Sequence, residues 1–304
     1  MQRTITLEKL TWIDVQDPDN ETLQVLKEKY GFHELDVEDC LTENQRSKID
    51  EYSDYLFIIL HFPYQDKRRQ RIMAEEVDIF IKNDVVITIH WGLLKPLIDL
   101  YDDAEKNAAK RKELMGKTSG YLLYEVVDHL FYGLFPLLDQ IEGNVTTLEQ
   151  EAFSLTGQRD LLKEILISKK NIISFRRTMA PLRTVIAQME HKNKKFLPES
   201  LEVYFDDVLD KVEKIWNNLE NLKELIESLQ DTNESIISHT TNNVIKTLTV
   251  FSVVMLPLNL LAGLYGMNVE LPGGAQPAMF FYISGGMAAL LLLMLFFFKI
   301  KRWI

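Results

Sequence analysis

"TLTVFSVVMLPLNLLAGLYGMNV", residues 247–269, contains no charged side chain. A helix needs roughly 20 mostly apolar residues to cross a hydrocarbon core of about 30 Å, and this run has the length. A second uncharged run, "MFFYISGGMAALLLLMLFFF", follows at residues 279–298. The competing reading is a buried core hairpin. Core helices are usually shorter and keep one polar face, which the second run lacks almost entirely. The sequence therefore predicts two membrane spans, at about 247–265 and 279–298. Lys299, Lys301 and Arg302 follow the second span at once, with Trp303 as an interfacial aromatic. By the positive-inside rule that end is cytoplasmic. Two spans then put the N-terminus inside as well and residues 270–278 outside.

The rest of the chain has a different character. Residues 244–304 carry four cations and one acid, a net of +3, so the chain total of −11 leaves −14 on residues 1–243. Such a field argues against a nucleic-acid partner and favours cations near the surface. Cys40 is the one cysteine, which excludes an intramolecular disulfide framework, and no Cys/His spacing fits a zinc finger. Residues 1–20 hold no apolar run of signal-peptide length. There is no Walker loop, no Gly-x-Ser-x-Gly and no His-Glu-x-x-His, so nothing points to an enzyme.

Residues 1–118 predict a mixed α/β domain. "LTWIDV" (10–15), "SDYLFIILHFPY" (53–64) and "VDIFIKNDVVITIHW" (77–91) read as strands, the last broken into a hairpin at Asn83-Asp84. Residues 21–30 and 34–41 read as helices. "DKRRQRI" (66–72) is basic and reads as a solvated hairpin loop. Residues 119–243 predict long helices and a stalk: 119–153, 159–190 and a third helix from 199 through the first span to 265. Pro136 and Pro181 predict kinks or breaks. Residues 244–304 form the transmembrane domain.

The third long helix carries two patterns. Leu201, Phe205, Val208, Val212, Ile215, Leu219, Leu222, Ile226 and Leu229 recur in alternating steps of four and three, an unbroken heptad seam that predicts packing on neighbouring helices. The same stepping from Asp231 gives Ser235, Ser238, Asn242, Ile245, Thr249, Ser252, Leu256, Asn259 and Gly263. Only Ile245 and Leu256 of these ten are large and apolar. Polar groups in a span tend to face protein or a water-filled cavity. The stripe predicts a helix lining an aqueous path with two apolar rings that gate by dewetting. Polar residues acting only as glue between helices are the alternative. One helix cannot enclose a pore, so the pore reading calls for a ring of identical subunits. His239 falls beside the stripe.

"YGMN" (265–268), within "MLPLNLLAGLYGMN" and downstream of "NNVIKTLT", resembles the closing motif of the first span in the CorA family of magnesium channels. The order of parts is similar as well: an acidic α/β domain, a long stalk helix, two spans and a basic C-terminus. The resemblance implies an α+β cytoplasmic domain with a mixed sheet, long stalk helices and two C-terminal spans, assembled as a funnel-shaped homopentamer in the inner (plasma) membrane. It implies passage of divalent cations, magnesium first and cobalt next, with no cofactor besides the transported ion. It makes Gly266, Met267 and Asn268 a selectivity mouth, with the Asn268 side chain and the Gly266 carbonyl meeting the hydrated cation. It adds Leu248 to the pore-lining set and assigns Asp207 to an intracellular regulatory metal. The turn "ELPGG" (270–274) is more similar to the zinc-transporting branch, which keeps zinc or another divalent ion as the alternative cargo. A two-span membrane-anchored sensor or scaffold is the alternative from another class, and it has no need of the polar stripe.

Overall fold

The computed structural model describes residues 1–42, 45–152, 158–191, 195–267 and 278–303. It contains two compact units, Met1–Gln230 and Asp231–Ile304.

The first unit is built on a six-stranded sheet. Its strands are β1 (Gln2–Leu7), β2 (Leu10–Gln16), β3 (Lys48–Glu51), β4 (Leu56–Asp66), β5 (Arg71–Lys82) and β6 (Val85–His90), in the spatial order β1-β2-β6-β5-β4-β3. All neighbours pair antiparallel except β2 and β6, which run parallel, Ile13 opposite Ile87. The 53–64 and 77–91 runs become β4 and β5–β6, and Asn83, at φ 48°, makes the tight turn. β5 starts before that run, at Arg71, so the basic segment 67–70 caps an 11-pair hairpin with β4. β1 and β3 are short edge strands with polar exteriors, and their alternation was too weak to read.

Both faces of the sheet are covered, which is why β4 reads as a nearly continuous apolar run. Side chains alternate across a strand. Leu56, Ile58, Leu60 and Phe62 enter one core and Phe57 and Ile59 the other. The smaller core is closed by α1 (Asn20–Tyr30) and α2 (Glu34–Asp39). Asp19 caps α1 by accepting from Thr22 N at 2.7 Å, and Gly31 ends it at φ 69°, a left-handed position that favours glycine.

The larger core lies under α3 (Lys95–Lys106), α4 (Ala108–Met115), α5 (Ser119–Tyr132), α6 (Phe135–Ala152), α7 (Gln158–His191) and the first part of α8 (Glu202–Tyr265). Pro136 marks a real break, between α5 and α6. Pro181 does not: α7 runs through it, losing one backbone hydrogen bond while Met179, Leu182 and Val185 stay buried on the core side. All nine heptad residues from Leu201 to Leu229 are buried, as the seam predicts. Each such side chain contributes on the order of 1.5–3 kcal/mol when buried. Arg183–Glu213, Arg176–Glu220 and Lys169–Glu227 pairs run along α7 and α8 and fix them as antiparallel neighbours.

The second unit holds the C-terminal part of α8 and α9 (Ala278–Ile300). Both are long and apolar enough to cross a membrane. They meet through Val250, Val254 and Phe298, with Leu258, Leu291 and Met294 packed around them.

Candidate permeation site

α8 is an unbroken helix through the whole predicted stripe, with Pro257 inside it. At about 100° per residue, Val250, Val254 and Leu258 share one face, which holds α9. Ile245, Ser252, Leu256, Asn259 and Gly263 centre about 180° away. The stripe is therefore on the side of α8 turned from its packing partner. Asp231, Ser235, Ser238, Asn242, Ile245, Leu248, Ser252, Leu256, Asn259 and Gly263 are all exposed in the single chain, and Thr249 is half-buried. Ile245 is 54% exposed and Leu256 68%, far more than Val250 and Val254 at 7% and 6%. Ile245 and Leu256 are the two large aliphatic side chains of an otherwise polar strip, and neither is covered within the single chain.

Polar glue between α8 and α9 does not describe this arrangement, because the contact between them is aliphatic and aromatic. Phe298, the last residue of the expected second span, is buried with Val250 and Val254, and nothing in its local sequence distinguishes it from the neighbouring phenylalanines. Leu248 lies between the stripe and the apolar Val244–Phe251 side of α8, at its edge. Gly263 has no heavy atom within 4 Å of where a Cβ would stand, so within the chain nothing requires glycine there.

At the far end, Gly266 N donates to Ala262 O at 2.9 Å and Met267 N to Leu264 O at 3.4 Å, closing the last turn. Gly266 and Met267 are exposed. A helix C-terminus carries partial negative charge, which favours a cation there. Asn268, the remaining residue of the expected mouth, lies outside the described residues, as does the turn at 270–274.

Asp207 is in the first unit and has a cationic partner already. Lys211 Nζ donates to Asp207 and to Asp128 Oδ1, the latter at 2.6 Å. Burial works to lower the Lys211 pKa, but the hydrogen bonds to Asp128 and Asp207 outweigh it and raise it. Among the described residues no group of three or more His, Cys, Asp or Glu side chains could hold a metal ion.

Two helices long and apolar enough to cross a membrane, the first with a bare polar strip opposite its packing face, and a separate acidic unit define the class as an integral membrane protein. Residues 8–302 match the family described as CorA-like Mg2+ transporter protein, and the chain belongs to that family. The chain is 29% identical to the cobalt/magnesium transport protein CorA of Thermotoga maritima over 262 residues, covering 86% of this chain and 73% of the relative. The complete structure of the CorA magnesium transporter from Methanocaldococcus jannaschii superimposes with a TM-score of 0.85 at 23% identity, over 99% of this chain and 94% of that one. The cytoplasmic domain of ZntB from Vibrio parahaemolyticus superimposes with a TM-score of 0.63 at 13% identity, over 77% and 90% of the two chains. The zinc-transporting branch is thus a distant neighbour that shares the fold.

Proposed function

We propose that this chain assembles as a homopentamer and passes hydrated divalent cations, Mg2+ first and Co2+ next, down their electrochemical gradient. The observation that carries the reading is the exposed polar stripe of α8 on the side turned from α9. A ring of α8 helices with α9 outside would bring five copies of the stripe around one axis. Asp231, Ser235, Ser238 and Asn242 then form the inner stretch, and Thr249, Ser252, Asn259 and Gly263 the stretch at membrane depth. Ile245 and Leu256 form the two apolar constrictions, with Leu248 at the seam between neighbours.

Magnesium gives up its water shell reluctantly and is held best through its own waters. Neutral hydroxyl, amide and carbonyl oxygens accept hydrogen bonds from those waters without trapping the ion, and conduction needs weak binding. At the mouth, the Gly266 carbonyl, Met267 and the Asn268 amide take this part. Both termini lie in the cytoplasm. Asp207 senses intracellular cations in competition with Lys211. The names of the Thermotoga and Methanocaldococcus relatives support magnesium and cobalt over zinc.

The test is flux into proteoliposomes, with Mg2+, Co2+, Ni2+ and Zn2+ compared under imposed voltage and pH gradients. Mg2+ and Co2+ enter faster than Zn2+, and Asn268→Ala abolishes entry while the oligomer stays intact. Zn2+ entering fastest overturns the cargo. Normal Mg2+ uptake by the variant overturns the mouth.

A further inference from the structure

Residues 67–71, "KRRQR", place four cations in five positions of a chain whose net charge is −11. The turn that carries them is held in place. Asp66 Oδ1 accepts from Arg68 N at 2.9 Å and from Arg69 N at 3.2 Å, and Gln70 stands at φ 53°, in the left-handed region. α7 lies against the turn: Asn171 accepts from Ile72 N at 3.1 Å and donates to Gln70 O at 3.3 Å, and Ser174 donates to Ile72 O at 2.9 Å. Turn and helix flank an open groove of about 540 Å³. Arg69 and Arg71 form one wall and Lys163 and Lys170 the other. Leu166 and Ile167 lie between, 41% and 38% exposed. Lys163, Leu166, Ile167 and Lys170 share one face of α7, at spacings i, i+3, i+4 and i+7.

The charge of this groove is not answered within the chain. Its lining contains no acid. Arg69 meets Asp66 at 3.6 Å in an exposed pair of the weak kind, and among the described residues Arg71, Lys163 and Lys170 have no ion pair. Elsewhere in the unit Arg3, Arg176, Arg183 and Lys211 each meet a carboxylate. Four like charges around one groove repel one another until an anion joins them. Arginine forks match phosphate oxygens in pairs, and lysine adds point charges. Lys163 and Lys170 lie about 10 Å apart along the helix axis, a spread that suits a chain of linked phosphates better than a single one. Leu166 and Ile167 supply an apolar floor for the rings of a nucleoside. Gln70 is the one uncharged polar side chain of the lining, and its Nε2 is already bound to Lys67 O at 3.0 Å. Little is left to tell one base from another.

We propose that this groove binds a nucleoside triphosphate in its metal-free form. The phosphates lie across the four cations and the nucleoside packs on Leu166 and Ile167. A divalent cation that bridges the β- and γ-phosphate oxygens cancels part of their charge, and the field of the groove opposes its entry. Mg2+ and the groove therefore compete for the same anion, and the groove fills when free Mg2+ is scarce. The site lies wholly within the first unit and does not rest on the permeation reading.

The experiment is isothermal titration calorimetry on the full chain in phosphatidylcholine nanodiscs, with metal-free ATP as the probe. ATP and GTP bind with the same affinity. Inorganic tripolyphosphate binds several-fold more weakly for want of the apolar contact, and AMP about tenfold more weakly for want of charge. Excess Mg2+ weakens ATP binding about tenfold, and salt at about 0.5 M removes it. The fourfold variant Arg69→Glu, Arg71→Glu, Lys163→Glu, Lys170→Glu removes it as well. The pair Arg69→Lys, Arg71→Lys keeps most of it and guards against a folding defect. No binding of metal-free ATP overturns the proposal. So does a charge-reversed variant that binds like the original, or a magnesium complex held as tightly as the free anion. Tripolyphosphate binding as tightly as ATP overturns the nucleotide and assigns the groove to inorganic polyphosphate. Short-chain phosphatidylglycerol displacing ATP at equal concentration overturns it in favour of a lipid headgroup.

Discussion

Lys211 Nζ lies 2.6 Å from Asp128 Oδ1 and holds Asp207 from the other side. The ammonium of α8 thereby stands between two carboxylates, one from α5 and one from its own helix, in the place a free cation would take. For Asp207 to take up the proposed sensing role, it has to give up this tethered competitor before it binds a cation.

Lys211→Met should therefore turn the pair into a divalent-cation site. The prediction is that Mg2+ at millimolar levels raises the melting temperature of the variant by several degrees, while the original protein shifts much less. Binding to the native state alone stabilises it by mass action, about 2.7 kcal/mol at a hundredfold excess over Kd. Equal shifts in the two proteins would show that Lys211 does not compete at this position.

Gly263 separates folding from conduction more cleanly than any other stripe residue. A Cβ there meets no atom of its own chain within 4 Å, and the helix propensity of alanine exceeds that of glycine by about 1 kcal/mol. Gly263→Ala should leave the subunit as stable or slightly more so, and Gly263→Val should reduce Mg2+ flux severalfold by narrowing the path. Gly285→Ala, also without neighbours within 4 Å but on α9, serves as the control with unchanged flux. If both glycines respond alike, the stripe has no special relation to the path.

Ile245 and Leu256 make a pair of predictions with the same sign. Each is exposed within the chain, so truncation leaves no intramolecular cavity, and the usual cost of about 2–5 kcal/mol for a buried Leu or Ile does not apply. Ile245→Ala and Leu256→Ala widen the apolar rings and make them wet at lower driving force. Single-channel or flux recordings should show increased leak in each. Unchanged or reduced conductance in both would rule out an apolar gate at these positions.

The parts of the fold that could be read in advance are those with strong periodicity over a long stretch. The heptad seam from Leu201 to Leu229 and the two uncharged runs stand out because each repeats one rule many times. Val250 and Val254 show the limit. They look like the other aliphatics of the first span, and only the position of Phe298 makes them the packing face. The opposite face then acquires its meaning by geometry. The contact between Asp128 and Lys211 joins residues 83 positions apart, and no local pattern encodes such a meeting, whereas the Asp207–Lys211 pair is an ordinary i,i+4 spacing on one helix. Pro181 disfavours a continuous helix locally, and α7 nevertheless continues through it with Met179, Leu182 and Val185 packed in the core.

Asp14 offers the sharpest test of the soluble unit. It is fully buried in β2, where Oδ1 accepts from Thr88 at 2.8 Å and lies 3.2 Å from His90 Nε2, and Oδ2 accepts from Arg3 at 3.0 Å. Arg3 also reaches Asp102 at 2.6 Å, so the network ties the edge strand β1 and helix α3 to the parallel β2–β6 pair. Burial works to raise the Asp14 pKa, but the hydrogen bonds and charges of His90, Thr88 and Arg3 outweigh it and hold the carboxyl below its ordinary value of 3.8. A carboxylate with a depressed folded-state pKa contributes stability that is present above its unfolded pKa and lost as pH falls through the folded one. Asp14→Asn keeps the shape and removes the charge. It should lower stability at pH 7 by about 3–5 kcal/mol, the usual cost of breaking a buried pair. The deficit should then shrink as pH falls below the ordinary value of 3.8, where the unfolded chain's carboxyl takes up its proton before the folded one does, and go on shrinking until the folded carboxyl is protonated as well. Thermal melts of the detergent-solubilised protein at both pH values measure this. A deficit of the same size at pH 7 and at pH 3 would mean that the network acts through packing and not through charge.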